Sequence, residues 1–370
     1  MQIHTPLGMR DLIKDEVQKK EALKNRIESV FSAYGYQEVI APTIEFLESY
    51  QKAFSNLQVE QMYKFFDAQS QILALRMDMT VPIARICASK YKDALPPYRF
   101  RYCSNVFKVR ESFAGRRSEV TDCGVELIGL DDQSDLEVIT CALDTMAAFG
   151  MDHYTLEIGN SSFFKVACQC AQIPEEKREE LAYKIDQKSL VDLQALLHAM
   201  KLDPKVCAFF EKLPLLNGGA EVLEEALRIS FDPQLQSIVQ GLQDLYQNLQ
   251  QLGYKDHISF DFGKVPHLDY YTGILFEGFV EGVGVSVLSG GRYDSLLEKF
   301  GRDLPACGFS VKLDYLLESL KTPSKKILRL YYPQNKQLEA YQKAQILRQE
   351  HEVSLIPCQA QEIRIEEDSL

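Results

Sequence analysis

The sequence lacks several features that would define its class directly. Its 370 residues contain no run of about 18 apolar residues, which excludes a transmembrane helix. The segment Met1–Glu16 is polar and charged, without the apolar stretch of a signal peptide. The nine cysteines are scattered and odd in number, unlike a disulfide framework, so we expect them to be reduced. Only Cys168 and Cys170 are close, and no Cys/His pair lies near them. We therefore expect a soluble, cytoplasmic protein with no metal and no cofactor.

The sequence also has no excess of positive charge. Lysine and arginine total 41 against 53 aspartates and glutamates, which gives a net charge of −12. Proteins that grip nucleic acid need a basic surface to displace the counterions of the phosphates, and no Lys/Arg cluster suited to that is present. The charge weighs against a large tRNA or DNA footprint. Hydrophobic residues make up 46% of the chain, which is enough for a large core and two or three domains.

Periodicity divides the chain into four segments. Residues 1–160 alternate strands with short helices, residues 161–252 are nearly all helical, and the strand pattern returns over residues 253–321. Residues 326–370 form a short α/β segment that stops early for a complete domain. The pattern predicts an α+β fold: a mainly antiparallel sheet flanked by helices, with a helical insertion and a truncated C-terminal α/β tail.

Individual elements follow from the same patterns. Apolar residues at helical spacing predict a helix over Glu16–Tyr34, ended by a glycine. Alternation predicts two long strands, Tyr98–Val109 and Ser118–Ile128. A further strand is predicted over Val283–Leu288, and a final helix over about Leu313–Leu320.

Four short stretches, taken together, carry a family resemblance. They are G-Y-Q-E-V-I-A-P at 35–42, L-R-M-D-M-T at 75–80, F-K-V-R at 107–110 with G-V-E at 124–126, and L-D-Y-Y-T-G at 268–273 followed by G-G-R-Y-D at 290–294. Their order and spacing resemble the catalytic domain of class II histidyl-tRNA synthetases over about residues 6 to 320. The last pair of motifs is specific to the histidine branch. The resemblance implies a class II aminoacyl-tRNA synthetase-like antiparallel sheet, a homodimer built through the first stretch, and a pocket for histidine.

On the nucleotide side, the sequence departs from the family pattern. Where the family's motif 2 has arginine and glutamate, this chain has Lys108 and Arg110. Its motif 3 carries lysine for glycine at 312, aspartate for glutamate at 314 and tyrosine for the phosphate-binding arginine at 315. Pro266 stands at the position of the catalytic arginine. Arginine meets phosphate oxygens bidentately, so these losses predict that ATP is not activated. Lys108 and Arg116 remain as possible vestigial contacts to phosphate.

The amino-acid side is better retained. Asp78 and Thr80 match the family's residues for the ammonium of the substrate, and Glu126 matches an acid in the same pocket. The resemblance places Tyr270 and Tyr271 near the imidazole. Asp122 replaces a glutamine and adds a negative charge near the ammonium. The predicted histidine-binding residues are therefore Asp78, Thr80, Asp122, Glu126, Tyr270 and Tyr271, and no catalytic residue is predicted.

Structural roles remain open for several of these residues. Asp78 could serve the N-terminus of the following helix, and Thr80 could be its N-cap. Glu126 could pair with an arginine, and the two tyrosines could be ordinary core aromatics. Arg292 is predicted to support the fold through a buried hydrogen-bond network.

A synthetase-like chain that keeps histidine binding and loses ATP chemistry resembles the regulatory subunits of ATP phosphoribosyltransferase. That resemblance implies a short-form catalytic subunit as partner, activation of it, feedback inhibition by L-histidine, and a homodimer within a hetero-octamer, with no tRNA and no membrane. One alternative is an active histidyl-tRNA synthetase-like enzyme or amino-acid ligase. Another is a free histidine-sensing scaffold for a different partner.

Overall fold

The computed structural model describes residues 3–54, 57–109, 117–265, 271–320, 326–359 and 361–369. They cluster into two compact units, Met1–Arg10 with Leu23–Ser319, and Asp11–Ala22 with Leu320–Leu370. The helices are α1 Asp15–Ala33, α2 Leu47–Ala53, α3 Thr80–Ser89, α4 Asp135–Ala147, α5 Ser161–Cys170, α6 Glu175–Asp186, α7 Leu190–Met200, α8 Pro204–Lys212, α9 Glu221–Ile229, α10 Pro233–Gln251, α11 Asp294–Glu298 and α12 Gln337–Leu347. The strands are β1 Gln37–Glu38, β2 Ile44–Phe46, β3 Lys64–Phe66, β4 Ile72–Leu75, β5 Tyr98–Phe107, β6 Glu119–Ile128, β7 Tyr154–Asn160, β8 Asn217–Gly218, β9 Ile258–Asp261, β10 Ile274–Val280, β11 Leu288–Arg292, β12 Ala306–Lys312, β13 Lys326–Pro333, β14 Glu352–Cys358 and β15 Arg364–Ser369.

A nine-stranded sheet dominates the larger unit, in the order β1-β5-β6-β12-β11-β10-β7-β9-β8. Along the run β5-β6-β12-β11-β10-β7, each strand is antiparallel to the next. At the ends of this run, β1 pairs in parallel with β5, and β9 pairs in parallel with β7. A separate three-stranded sheet has the order β2-β4-β3. The predicted α+β class, with a mainly antiparallel sheet flanked by helices, is confirmed.

The two faces of the large sheet carry different residues, because side chains alternate along a strand. On β12, Phe309 turns to one face and packs edge-on against Phe31 of α1 and Phe276 of β10, at ring-centroid distances of 5.8 and 6.3 Å. Gly308 and Ser310 turn to the other face. The first face is the core under α1, and the second is the floor of the candidate site.

Six helices, α5 to α10, lie along the chain between β7 and β9, which are neighbours in the sheet. Two of them begin with Asp-Pro, where the carboxylates of Asp203 and Asp232 accept hydrogen bonds from backbone N–H groups two residues on and proline occupies the first turn. Helices α5 and α8 meet in an aromatic cluster, in which the Phe209 ring lies 5.3 Å from Phe163 and 5.1 Å from Phe210.

The smaller unit contains a three-stranded sheet in the order β14-β13-β15. The parallel pair β13–β14 and the helix α12 follow the β-α-β pattern expected from the sequence. The antiparallel strand β15 was not predicted, because its segment is dominated by charged residues. Leu330, Tyr332, Ala340 and Ala344 form the core of this unit.

Three expectations are wrong. The strand predicted at Val283–Leu288 lies later, at Leu288–Arg292, because Gly282 takes a φ of +82° and turns the chain. The helix predicted at Leu313–Leu320 is a 3-10 turn over Leu313–Tyr315 followed by further turns. There, the Asp314 carboxylate turns inward and accepts a hydrogen bond of 2.6 Å from the Thr121 backbone N–H.

The third correction concerns the cysteines, which were expected to be reduced. Cys103 on β5 and Cys123 on β6 lie directly opposite each other and form a disulfide. The pairing depends on the register of the two strands, which a spacing of 20 residues in the sequence does not reveal. In the described part of the chain, no helix is long and apolar enough to cross a membrane.

Candidate ligand-binding site

A cavity of about 540 Å³ lies on the second face of the large sheet. Its size is that of a small-molecule pocket. Carboxylates and lysines supply its charge: Asp78, Asp122, Glu126, Asp186, Glu277, Lys108, Lys264 and Lys312. The aromatic residues in its lining on this face are Tyr102, Tyr271 and Tyr293, while Phe276 and Phe309 border it from strands whose rings turn to the α1 face. Among the described lining residues there is no arginine.

Glycines on neighbouring strands leave room for the larger side chains of the cavity. A Cβ on Gly308 would lie 1.9 Å from Oε2 of Glu126, and one on Gly291 would lie 2.7 Å from the ring of Tyr271. Both distances are below 3.0 Å, a separation that real Cβ atoms essentially never show. The two glycines are register partners on β12 and β11, and Gly308 also pairs with Glu126 on β6. The sheet floor is therefore built to seat this carboxyl and this ring.

Glu126 is the most deeply buried acid of the cavity. Its Oε1 accepts a hydrogen bond of 2.9 Å from Thr80 Oγ1, and its Oε2 accepts one from the Tyr293 hydroxyl. Burial raises the pKa of Glu126 to about 8, the charge of Asp78 adds to the rise, and the two hydroxyl donors oppose it. The unliganded carboxyl therefore holds its proton near neutral pH, and a cationic group beside it would drive the proton off.

Asp122 is buried four residues earlier on the same strand face. Its Oδ1 has no hydrogen-bond partner among the residues that the structure describes. Burial raises the pKa of Asp122 to about 6, against the opposing charges of Lys312 and Lys108. Buried polar atoms are almost always hydrogen-bonded, so an unpartnered carboxylate oxygen at a cavity indicates a ligand donor.

Asp78 and Thr80 stand at the start of α3. The Asp78 carboxylate accepts a hydrogen bond of 3.0 Å from the Val81 backbone N–H in the first turn, and the N-cap position is Met79, not Thr80. Burial raises the pKa of Asp78, and this backbone bond and the charge of Lys108 oppose the rise. Because the Thr80 hydroxyl bonds to Glu126, the helix start and the sheet floor are joined at the cavity.

The structure brings most of the predicted site residues together. Asp78, Thr80, Asp122, Glu126, Tyr271 and Lys108 all line the one cavity. Tyr270 and Arg116 lie outside the described residues, as do Arg110 and Pro266. The alternative that Glu126 pairs with an arginine does not match its two hydroxyl partners.

Several cavity residues were not predicted as ligands. Tyr293 directly follows G-G-R and could have been predicted from that motif. Its neighbour Arg292 does not line the cavity, because it is held in a separate buried network with Asp135, Ser134 and Asp294. Tyr102 is the register partner of Gly124, a contact that only the strand pairing reveals.

Lys264 is held by two acids of the same sheet face. Its Nζ lies 3.3 Å from an oxygen of Glu157 and donates to Glu277. The three residues come from two neighbouring strands and the segment after β9, so no local pattern marks them. Among the described residues, no group of three or more His, Cys, Asp and Glu side chains is arranged to hold a metal ion.

Solved structures place this fold in a known class. An ATP phosphoribosyltransferase regulatory subunit/histidyl-tRNA synthetase from Bacillus halodurans C superposes with a TM-score of 0.87 at 30% identity, covering 96% of this chain and 93% of that one. The histidyl-tRNA synthetase from Nostoc sp. PCC 7120 shares the fold, with a TM-score of 0.81 at 22% identity over 98% of this chain and 87% of that one. Fold and cavity together define a class II aminoacyl-tRNA synthetase-like protein.

Sequence comparisons identify the family. The family model described as histidyl-tRNA synthetase matches residues 8–316. The ATP phosphoribosyltransferase regulatory subunit of Clostridium kluyveri is 37% identical over 356 residues, which cover 94% of this chain and 91% of the relative. The ATP phosphoribosyltransferase regulatory subunit of Caldanaerobacter subterraneus subsp. tengcongensis is 33% identical over 358 residues, which cover 95% of this chain and 93% of the relative. The chain belongs to the histidyl-tRNA synthetase family and, within it, to the ATP phosphoribosyltransferase regulatory subunits.

Proposed function

We propose that this regulatory subunit binds L-histidine in the cavity, has no catalytic activity of its own, and acts on a short-form ATP phosphoribosyltransferase catalytic subunit. The observation that carries the proposal is the convergence of Asp78, Thr80, Asp122, Glu126 and Tyr271 on one cavity. These are the described positions at which the family resemblance predicts contacts to histidine. Tyr270, the sixth, remains a proposed contact.

The charge of the cavity supports a ligand with a cationic group. Five carboxyl groups and three lysines line it, and Lys264 is paired with Glu157 and Glu277. Burial removes water from the Glu126 carboxyl and so disfavours its charged form. An ammonium or imidazolium nearby would supply an opposite charge and favour that form. Hydrogen bonds to charged groups contribute about 1.5–3 kcal/mol each, so two such contacts supply about 3–6 of the roughly 8 kcal/mol that micromolar binding requires.

The nucleotide side supports a role without catalysis. The lysine at 108 is a point charge where a planar guanidinium would clamp a phosphate, and Tyr315 packs on the hydrophobic core. Beside it, Asp314 is bound to a backbone N–H and lies 3.6 Å from Arg117. Losing a single preorganised charge contact typically costs about 10²–10³ in rate. The net charge of −12 further supports the absence of tRNA binding.

Regulation requires that histidine bind the inhibited state of the complex more tightly than the active state. Such coupling between sites is typically about 1–3 kcal/mol, which corresponds to roughly 5- to 150-fold in affinity. We further propose a homodimer within a hetero-octamer, and a domain division at 1–160, 161–252, 253–321 and 326–370.

A reconstitution with a short-form catalytic subunit tests this function. The chain should form a complex with it and raise its rate of phosphoribosyl transfer to ATP, and light scattering should give the mass of the hetero-octamer. Absence of both complex and activation at micromolar protein would favour a histidine-sensing scaffold for another partner.

Pyrophosphate exchange tests the claim that adenylate chemistry is lost. The pure chain should not exchange labelled pyrophosphate into ATP in the presence of L-histidine. Robust histidine-dependent exchange would instead identify an active synthetase-like enzyme or amino-acid ligase.

A further inference from the structure

Lys312 and Asp122 form a pair of opposite charges at one end of the cavity. They are register partners on the antiparallel strands β12 and β6, and both line the cavity. Directly opposed residues in such a pair have Cβ atoms about 4.5–5.5 Å apart. The two charged groups therefore stand side by side on the same face of the sheet.

Among the residues that the structure describes, each member of the pair has a polar atom without a partner. Asp122 Oδ1 accepts no hydrogen bond from a described residue, and the Lys312 ammonium makes no ion pair with one. Lys264, on the same face, shows the contrast, since Glu157 and Glu277 hold it. The positive charge of Lys312 nevertheless acts on Asp122, since it is the largest opposing influence on the raised pKa of that carboxyl.

A zwitterionic amino acid complements this pair. It carries its ammonium and its carboxylate on one carbon, so the two groups meet an adjacent anion and cation at the same time. The acidic Glu126 lies four residues from Asp122, about 13 Å along the strand, which leaves space between them for a side chain of the length of histidine.

We propose that Lys312 binds the α-carboxylate of the amino-acid ligand while Asp122 takes its ammonium. This inference rests on the proposed function and names the residue that gives the site its specificity for a free amino acid. Lys312 stands where the resemblance places a glycine, so the cation is a departure of this chain from the synthetase pattern. It selects L-histidine over analogues that keep the amine and imidazole but lack the carboxylate.

Calorimetric titration of the full chain with L-histidine and with L-histidinol tests the proposal. L-histidinol carries a hydroxymethyl group in place of the carboxylate. The unchanged chain should prefer L-histidine at least tenfold. Lys312→Gln should weaken L-histidine binding about 10- to 100-fold and leave L-histidinol binding nearly unchanged, so that the preference disappears.

Two further variants control for charge and for packing. Lys264→Gln removes one positive charge from the same cavity and should preserve the preference ratio. Lys312→Arg should retain most of the preference, and Lys312→Met repeats the test with an apolar stem if the glutamine variant does not fold.

The outcomes separate the two proposals. If the unchanged chain binds L-histidine and the Lys312 variants keep the same ratio of the two dissociation constants, the role of Lys312 is overturned and the function stands. If the unchanged chain binds neither compound, the proposed function fails and this inference fails with it.

Discussion

Replacing Glu126 by glutamine should make the unliganded chain more stable and the histidine site weaker. The carboxyl is 2% exposed, and burial raises its pKa from 4.5 to about 8. At about 1.4 kcal/mol per pKa unit, that rise means that ionised Glu126 lowers the stability of the folded chain by about 5 kcal/mol. An amide of the same shape carries no charge and escapes this cost.

The sign of the effect depends on pH. Below about pH 4.5 the carboxyl is protonated in both the folded and the unfolded chain and contributes nothing. As the pH rises from 4.5 to about 8, the unfolded chain has released the proton and the folded chain still holds it, so the folded state loses stability. The advantage of Glu126→Gln should therefore grow across that window and level off above it.

Urea unfolding of the histidine-free chain, followed by circular dichroism at about pH 5 and about pH 8, measures this difference. We expect Glu126→Gln to exceed the unchanged chain by several kcal/mol at the higher pH and by little at the lower. Glu224→Gln, on the exposed side of α9, is the matched control and should stay within about 0.5 kcal/mol. An equal advantage at both pH values would refute the reasoning. In calorimetry the same variant should bind L-histidine at least tenfold more weakly.

Three other changes test the site. Asp78→Asn keeps an acceptor for the Val81 N–H and should weaken histidine inhibition of the reconstituted complex about tenfold without preventing assembly; loss of assembly would contradict a local role. Gly308→Ala places a Cβ against Glu126 and should lower both the melting temperature and the affinity for histidine. The control Gly241→Ala lies in open space on α10 and should stabilise the chain by about 0.5–1 kcal/mol. Equal effects of the two variants would contradict the packing argument. Tyr271→Phe should raise the histidine dissociation constant, and unchanged calorimetry would mean that the hydroxyl faces away from the ligand.

Much of the fold could be predicted from local pattern. The long strands β5 and β6 alternate clearly enough to be bounded within two residues at either end, and α1 begins and ends one residue from its predicted limits. Strand β12 was not predicted, because its sequence A-C-G-F-S-V-K was interpreted as part of a family motif and not as an alternation of apolar and polar residues. Short or charged elements such as α11 and β15 depend on pairing with distant segments, which a single sequence does not display.

The candidate site divides in the same way. Asp78, Thr80 and Glu126 were predicted because they stand inside motifs whose order along the chain is recognisable. The partners that set their chemistry were not, because Tyr293 meets Glu126 across 167 residues and Lys312 meets Asp122 through strand register. The shifted pKa of Glu126 is likewise a product of burial, which exists only in the folded chain.

The most direct test of the account is the rate of phosphoribosyl transfer by a short-form catalytic subunit, measured with this chain, with and without L-histidine. The account predicts that the chain raises the rate and L-histidine lowers it again. It also predicts that complexes carrying Asp122→Asn or Glu126→Gln stay active and lose at least tenfold in sensitivity to L-histidine. Full inhibition by L-histidine in both variants, or a rate that the chain does not change, would contradict it.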